Sequence, residues 1–235
     1  ATRVGAGILN EVAQTIEKPL ILLAICTRDA AVFEAHCAKG IAKLSFPPSF
    51  NYEVLLVENR REASSRLGKV ETGLVTHCFV EPELGLSAVR NRIFAEAERL
   101  DAEWLACLDD DVLPVESWLE EYAEAMKSKP EGRLFHGQYW YRFPDGYSLA
   151  IERDPDDLEQ MFERDVRFGG GNLLIHASLY RESGLRFDPR FDACGSEDTD
   201  FRRQAAALGI DAVPVPKAVI QEIITGHRIS FKVGF

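Results

Sequence analysis

Apolar residues in this chain bunch into short, nearly unbroken runs, separated by segments in which they recur every three to four positions. Leu20–Ile25 (LILLAI), Glu53–Val57 (EVLLV) and Trp104–Leu108 (WLACL) are the clearest runs. A strand that is apolar at almost every position has both faces covered, so these runs predict buried strands of a parallel sheet. Between them, residues 29–44 and 87–100 carry helical spacing, with Leu86, Val89, Ile93 and Ala97 on one face of the second. A shorter strand is predicted near Cys78–Val80. Beyond Leu108, Pro114 and Ser117 are expected to open a helix bearing Trp118, Tyr122 and Met126, which stops before Pro130. Strand–helix–strand alternation of this kind predicts an α/β fold with a mostly parallel central sheet flanked by helices.

The second half is less periodic. Residues 133–142 read as an extended aromatic segment, 154–165 as a charged loop or short helix, Asn172–His176 (NLLIH) as a strand and 218–224 as a last strand. Ser196 is expected to cap a helix whose Phe201, Ala205 and Leu208 face the core and which Gly209 ends. No internal repeat or low-complexity linker interrupts the chain, so residues 1–235 read as a single domain.

Composition narrows the field. The 235 residues are 46% apolar and 28% charged, an ordinary globular balance. The net charge is −11 and the pI about 5.0, which repels a phosphate backbone and excludes nucleic acid as a partner. For any small polyanionic substrate, a cation would have to mediate. The five cysteines (Cys26, Cys37, Cys78, Cys107, Cys194) are scattered and never spaced as CxxC, which favours a reducing, cytoplasmic setting over a disulfide scaffold or zinc ribbon. Cys26 and Cys107 sit in apolar runs and are expected to be core thiols. No stretch approaches the roughly 18–20 apolar residues of a membrane span, and Ala1 to Asn10 lacks the pattern of a secretory leader.

Four constellations carry candidate chemistry. The first is Asp109, Asp110 and Asp111 at the end of a buried strand, where ligands of open α/β sheets bind. Adjacent carboxylates repel one another unless a hard cation neutralises them, and Asp109 and Asp111 would share one side of a continuing strand. An EF-hand is excluded, because Pro114 stands where that loop needs glycine. The second is Gly195-Ser196-Glu197-Asp198-Thr199-Asp200-Phe201. Acids in a helix's first turn are commonly plain helix stabilisers, yet a carboxylate there stays ionised, as a general base for a hydroxyl must. The third is Gly169-Gly170-Gly171-Asn172, either a flexible turn or a place where backbone approaches a ligand. The fourth is His227 in Thr225-Gly226-His227-Arg228; His36, His77, His136 and His176 lack a partner pattern. There is no P-loop, no HExxH and no GxSxG elbow.

The order of these elements resembles the family 2 glycosyltransferases of the GT-A (Rossmann-like) fold, over most of the chain from Leu20 to about His227. Five segments carry the resemblance: Ile25-Cys26-Thr27-Arg28, Val57-Glu58-Asn59, Gly85-Leu86-Ser87-Ala88-Val89-Arg90-Asn91, Leu108-Asp109-Asp110-Asp111, and Gly195 to Phe201. Within that family the chain looks most like bacterial enzymes that build exopolysaccharide repeat units. The resemblance implies a nucleotide-binding half over about 20–112 and an acceptor and catalytic half over about 113–228. It implies that Thr27 and Arg28 border the nucleobase, with Glu58 accepting from the base, a uracil N–H, although the family usually has Asp there. Arg90 would lie near the ribose or diphosphate, and Asp109 and Asp110 on the nucleotide side, Asp110 facing the ribose. Asp111 and His227 would ligate Mn²⁺ or Mg²⁺. Asp198 matches the general base, with Glu197 beside it, and Gly170, Gly171 and Asn172 would line the sugar and acceptor site.

The implied activity is metal-dependent, inverting transfer of a sugar from a nucleotide-diphosphate donor, a UDP-sugar, to a hydroxyl of a saccharide or lipid-linked saccharide. A lipid-linked acceptor would bring the chain peripherally to the cytoplasmic face of a membrane. Two other readings compete: a sugar nucleotidyltransferase, against which Cys26 to Ala30 lacks the glycines of a triphosphate loop, and a non-catalytic sugar-nucleotide-binding protein.

Overall fold

A computed structural model describes residues 18–62, 64, 73–142 and 168–223. The apolar runs become the centre of one sheet because each is buried on both sides. Strand β1 (Leu20–Thr27) pairs in parallel with β2 (Asn51–Asn59) and with β4 (Trp104–Asp109), and β2 pairs in parallel with β3 (His77–Glu81). Along β1, Ile21, Leu23 and Ile25 pack into a core on one face while Leu22 and Ala24 pack into a second core on the other. β2 and β4 divide their side chains in the same way, which is the period-2 geometry of a strand with no wet face.

Beyond β4 the sheet changes character. β7 (Asn172–His176) pairs antiparallel with β4 and with β6 (Leu134–Arg142); β6 pairs in parallel with β8 (Ala212–Ile223), whose other neighbour is the short antiparallel β5 (Val112–Pro114). Among the described residues the order is β3-β2-β1-β4-β7-β6-β8-β5. Helices cover both faces: α1 (Ala30–Ala35), α2 (Cys37–Ile41) and α4 (Trp118–Ser128) over one core, α3 (Leu86–Arg99), α5 (Ser178–Arg181) and α6 (Glu197–Ala207) over the other. The mostly parallel, helix-flanked α/β architecture expected from the sequence is therefore the one observed.

Several local expectations need correction. The helix expected over 29–44 is broken at His36 (φ −125°, ψ −81°), although Asp29 does cap its start by accepting from the Ala31 N–H at 3.0 Å. Pro114 ends strand β5 instead of opening a helix, and α4 begins at Trp118. The last strand starts six residues early, at Ala212. It tolerates Pro214 and Pro216 because its register against β6 jumps from Gly137↔Val215 to Gln138↔Val219, letting residues 216–218 bulge. Ser196 stands at the N-cap of α6 but its side chain makes no capping bond, and Leu208 is half exposed, unlike the buried Phe201 and Ala205. Cys107 is in the core, whereas Cys26 is partly accessible. His77 does have a partner: its Nε2 lies 2.6 Å from Glu53 Oε2, the diagonal neighbour across β2 and β3. Within the extended aromatic segment, Tyr139 is buried and Trp140 exposed. Residues 154–165 and His227 lie outside the described residues. No helix among the described residues is long and apolar enough to cross a membrane.

Candidate functional site

The strand directions decide where a site can form. β1, β2 and β4 run parallel, so their carboxyl ends meet at one edge; β7 runs against β4, so it begins at that edge, with Asn172 opposite Leu108. A cleft of about 270 Å³ opens there, walled by Thr27, Arg28, Arg90, Asp109, Asp110 and Asp111. Six positions singled out in the sequence are thus brought together from three elements and their adjoining loops.

Helix α3 reaches this edge through its first turn. Gly85 takes φ +145°, a region that disfavours side chains, and a Cβ there would overlap the Asp192 carboxylate. Asp192 Oδ1 accepts from both the Ser87 N–H (3.0 Å) and the Ser87 hydroxyl (2.5 Å), capping α3 from 105 residues away. Asn59 completes the mooring: its amide donates to the carbonyls of Glu81 and Glu83 and accepts from the Gly85 N–H at 2.9 Å. Asn59 lines the cleft. Neither role was assigned from sequence, because a cap supplied by a distant loop leaves no local spacing to read.

Within the acidic triplet the three carboxylates differ. Asp110 accepts from the Thr27 hydroxyl at 2.5 Å, and that hydroxyl in turn accepts from the Asp29 N–H at 3.0 Å. Burial pushes the Asp110 carboxyl up to about 6; the Thr27 bond opposes this, and the charges of Asp111 and Asp109 add to it. Asp109 lies 3.7 Å from Arg90 Nη2 and accepts weakly from the Cys26 thiol at 3.9 Å. Burial, then Asp109, raises the Cys26 thiol far above its ordinary value, and burial raises Cys107 to about 12, so neither is a nucleophile at neutral pH.

Arg90 is almost wholly buried. Its Nη1 lies 2.6 Å from Glu197 Oε1, and Glu197 is itself 4% exposed. Burial works against the guanidinium's charge, but Asp109 and then Cys26 and Glu197 outweigh it and hold its pKa above the usual arginine value. Gly170 and Gly171 lie against this pair: a Cβ at 170 would overlap the guanidinium, and one at 171 the Asp109 carboxylate.

The remaining expected residues are placed otherwise. Asn172, expected to line the sugar site, is fully buried and engaged. Its Oδ1 accepts from Trp118 Nε1 (2.8 Å) and the Tyr122 hydroxyl (2.9 Å), and its Nδ2 donates to the carbonyls of Gln138 (3.1 Å) and Ala218 (3.0 Å). Glu58 is also fully buried and stands outside the cleft lining. Its Oε2 accepts from the Ser64 N–H at 2.8 Å, and its Oε1 has no hydrogen-bond partner among the described residues, with Arg60 3.9 Å away. Asp198 opens α6 beside Glu197, half buried; its Oδ1 accepts from the Thr199 N–H at 2.6 Å, and it too stands outside the lining.

Hard carboxylate oxygens are the donors that Mn²⁺ and Mg²⁺ take. Among the described residues, however, no group of three or more His, Cys, Asp or Glu is placed to hold a metal ion.

No protein-family model matches the sequence, and no curated protein matches it. Solved structures do resemble the fold. One is the mannosyltransferase PcManGT from Pyrobaculum calidifontis, in complex with GDP-Man and Mn²⁺ (TM-score 0.63, 16% identity, covering 90% of this chain and 59% of that one). Another is S. aureus TarS (TM-score 0.63, 12% identity, covering 87% of this chain and 36% of that one). The likeness at these identities is one of fold, and the chain spans about three-fifths of the first and a third of the second.

Proposed function

We propose that this chain transfers a sugar from a nucleotide-diphosphate donor, a UDP-sugar, to a hydroxyl acceptor, with inversion at the anomeric carbon and with the help of a divalent cation. The observation that carries the reading is the acidic triplet: Asp109, Asp110 and Asp111 stand at the carboxyl end of β4 on the wall of a cleft they share with Thr27 and Arg28. Carboxylates there repel a diphosphate unless a cation stands between, and the shared fold of PcManGT, solved with GDP-Man and Mn²⁺, supports a nucleotide-diphosphate sugar with a divalent cation, the uracil base resting on the sequence resemblance alone.

In this reading Asp111, with His227, holds Mn²⁺ or Mg²⁺, which when bound neutralises charge building on the departing diphosphate. Thr27 and Arg28 border the base, Glu58 accepts from it, Asp109 and Asp110 serve the nucleotide side, and Gly170 and Gly171 flank the sugar. Asp198 takes the acceptor's proton as the acceptor oxygen bonds to the anomeric carbon. The bond from that carbon to the diphosphate oxygen breaks on the opposite face, so a single displacement inverts the centre. A saccharide or a lipid-linked saccharide fits as acceptor.

A second reading, a sugar-nucleotide-binding protein without turnover, draws on one fact: Asp198 stands outside the cleft lining. The deciding experiment is a thermal-shift panel of UDP, GDP, dTDP and CMP with and without Mn²⁺, followed by a transfer assay with the matching sugar nucleotide. A ligand at about 100 times its dissociation constant adds roughly 2.7 kcal/mol, or roughly 5–11 °C for a chain of this size. A Mn²⁺-dependent shift with one nucleotide supports the donor site, and binding without turnover favours the second reading. Absence of any shift sinks both.

A further inference from the structure

Several groups converge on the guanidinium of Arg90, which is only 7% exposed. Glu197 Oε1 on α6 takes its Nη1 at 2.6 Å, and Asp109 Oδ1 at the end of β4 lies 3.7 Å from its Nη2. The Phe187 ring covers it, 5.2 Å from centroid to Cζ. The backbone of Gly170 and Gly171 closes over the top, where a methyl group would overlap the guanidinium or the Asp109 carboxylate. The guanidinium is thus held between two protein carboxylates, hydrogen-bonded to one and ion-paired with the other. Its planar fork can fix two carboxylates in one geometry, which a lysine ammonium cannot.

We propose that Arg90 is a positioning residue that ties the acidic triplet of β4 to the first turn of α6, and that residues 170 and 171 lack side chains so that this bridge can form. The inference rests on the cleft being the transfer site. It gives Arg90 a task other than touching the diphosphate: it sets how far the acidic triplet of the donor cleft stands from Asp198, the neighbour of Glu197. The three-glycine loop then serves as a cover for a buried ion bridge. Displacing catalytic groups by about 1 Å can cost about 100-fold in rate while substrates still bind, so a loosened bridge is read in kcat before it is read in donor affinity.

The test uses the whole chain with Arg90→Lys, Gly170→Ala and the two combined. Arg90→Lys keeps the charge and loses the fork. It is expected to leave the Mn²⁺-dependent nucleotide dissociation constant essentially unchanged and to lower kcat about 10- to 100-fold. A role confined to stability would instead lower the melting midpoint and leave kcat per folded molecule as it was, and that result overturns the proposal. Gly170→Ala should lower kcat in the same way. The combined variant should be no slower than Arg90→Lys alone, because the added methyl then has no fork to displace; additive losses break the link between the glycine and the arginine. Should the unmodified chain bind no nucleotide, the functional reading fails by itself. The bridge is then judged by a double-mutant cycle of Arg90→Met and Glu197→Gln in urea unfolding, where zero coupling between the two sites removes it.

Discussion

Replacing Asn172 by alanine separates two meanings of a buried polar residue beside a site. Its carboxamide makes four side-chain bonds that join α4 to β6, β7 and the bulge of β8. On truncation the Trp118 indole N–H, in a fully buried residue, loses its acceptor, a cost of about 1–3 kcal/mol. The Tyr122 hydroxyl keeps a partner, since it also reaches the Asn172 backbone carbonyl at 3.0 Å. The carbonyls of Gln138 and Ala218 each lose a bond worth about 0.5–1.5 kcal/mol net. Together these predict a loss of about 2–6 kcal/mol, a large share of the roughly 5–15 kcal/mol typical of a folded domain. The melting midpoint should fall by roughly 4–24 °C at about 2–4 °C per kcal/mol. Thermal and urea unfolding followed by circular dichroism give both numbers. A loss below about 1 kcal/mol, within the range of ordinary surface substitutions, would refute the buried network. Intact stability with lost substrate binding would restore the ligand role suggested by the sequence.

Four further outcomes are expected. Asp111→Ala should abolish the Mn²⁺-dependent part of nucleotide stabilisation, leaving identical thermal shifts with and without metal, while Asp198→Asn should bind donor normally and lose transfer; turnover surviving in the latter removes it as the base. Gly85→Ala forces a side chain into φ +145° and against Asp192, so it should cost about 1–3 kcal/mol of stability; a neutral result in urea unfolding would mean α3 is not moored as described. The pH dependence follows from Asp110, whose carboxyl is raised from 3.8 to about 6 in the folded chain. A raised pKa means the folded state holds the proton more tightly, so that contribution is complete below the unfolded value and lost as pH rises through about 6. The metal-free chain should therefore melt lower at pH 6.5 than at pH 4.5 by an increment that Asp110→Asn removes, and metal-dependent nucleotide binding should strengthen over the same interval; a curve unchanged by Asp110→Asn contradicts the assignment.

What could be read from the sequence follows from how local each signal is. The parallel half was legible because a strand buried on both faces writes itself as an unbroken apolar run, as in Leu20–Ile25 and Trp104–Leu108. The acidic triplet was legible because it ends such a run. The break at His36 was hidden, since the apolar spacing of α1 and α2 continues across it. β8 was clipped because Pro214 and Pro216 argue against a strand, and only the pairing with β6 shows that a bulge accommodates them. The structural engagement of Asn172 was hidden because its partners come from Trp118, Tyr122, Gln138 and Ala218, none of them near it in sequence. The pairing of Arg90 with Glu197 was invisible for the same reason.

That separation also has a meaning in time. Arg90 and Glu197 are 107 residues apart, and Thr27 and Asp110 are 83 apart. A ribosome adding about 5–20 residues per second would take roughly 5–20 s to deliver Glu197 after Arg90. During that interval β1 to β4 can pair, while the arginine on α3 waits beside Asp109 without its second carboxylate. Contacts so distant in sequence close slowly, so the parallel strands β1 to β4 can form before the cleft acquires its final shape.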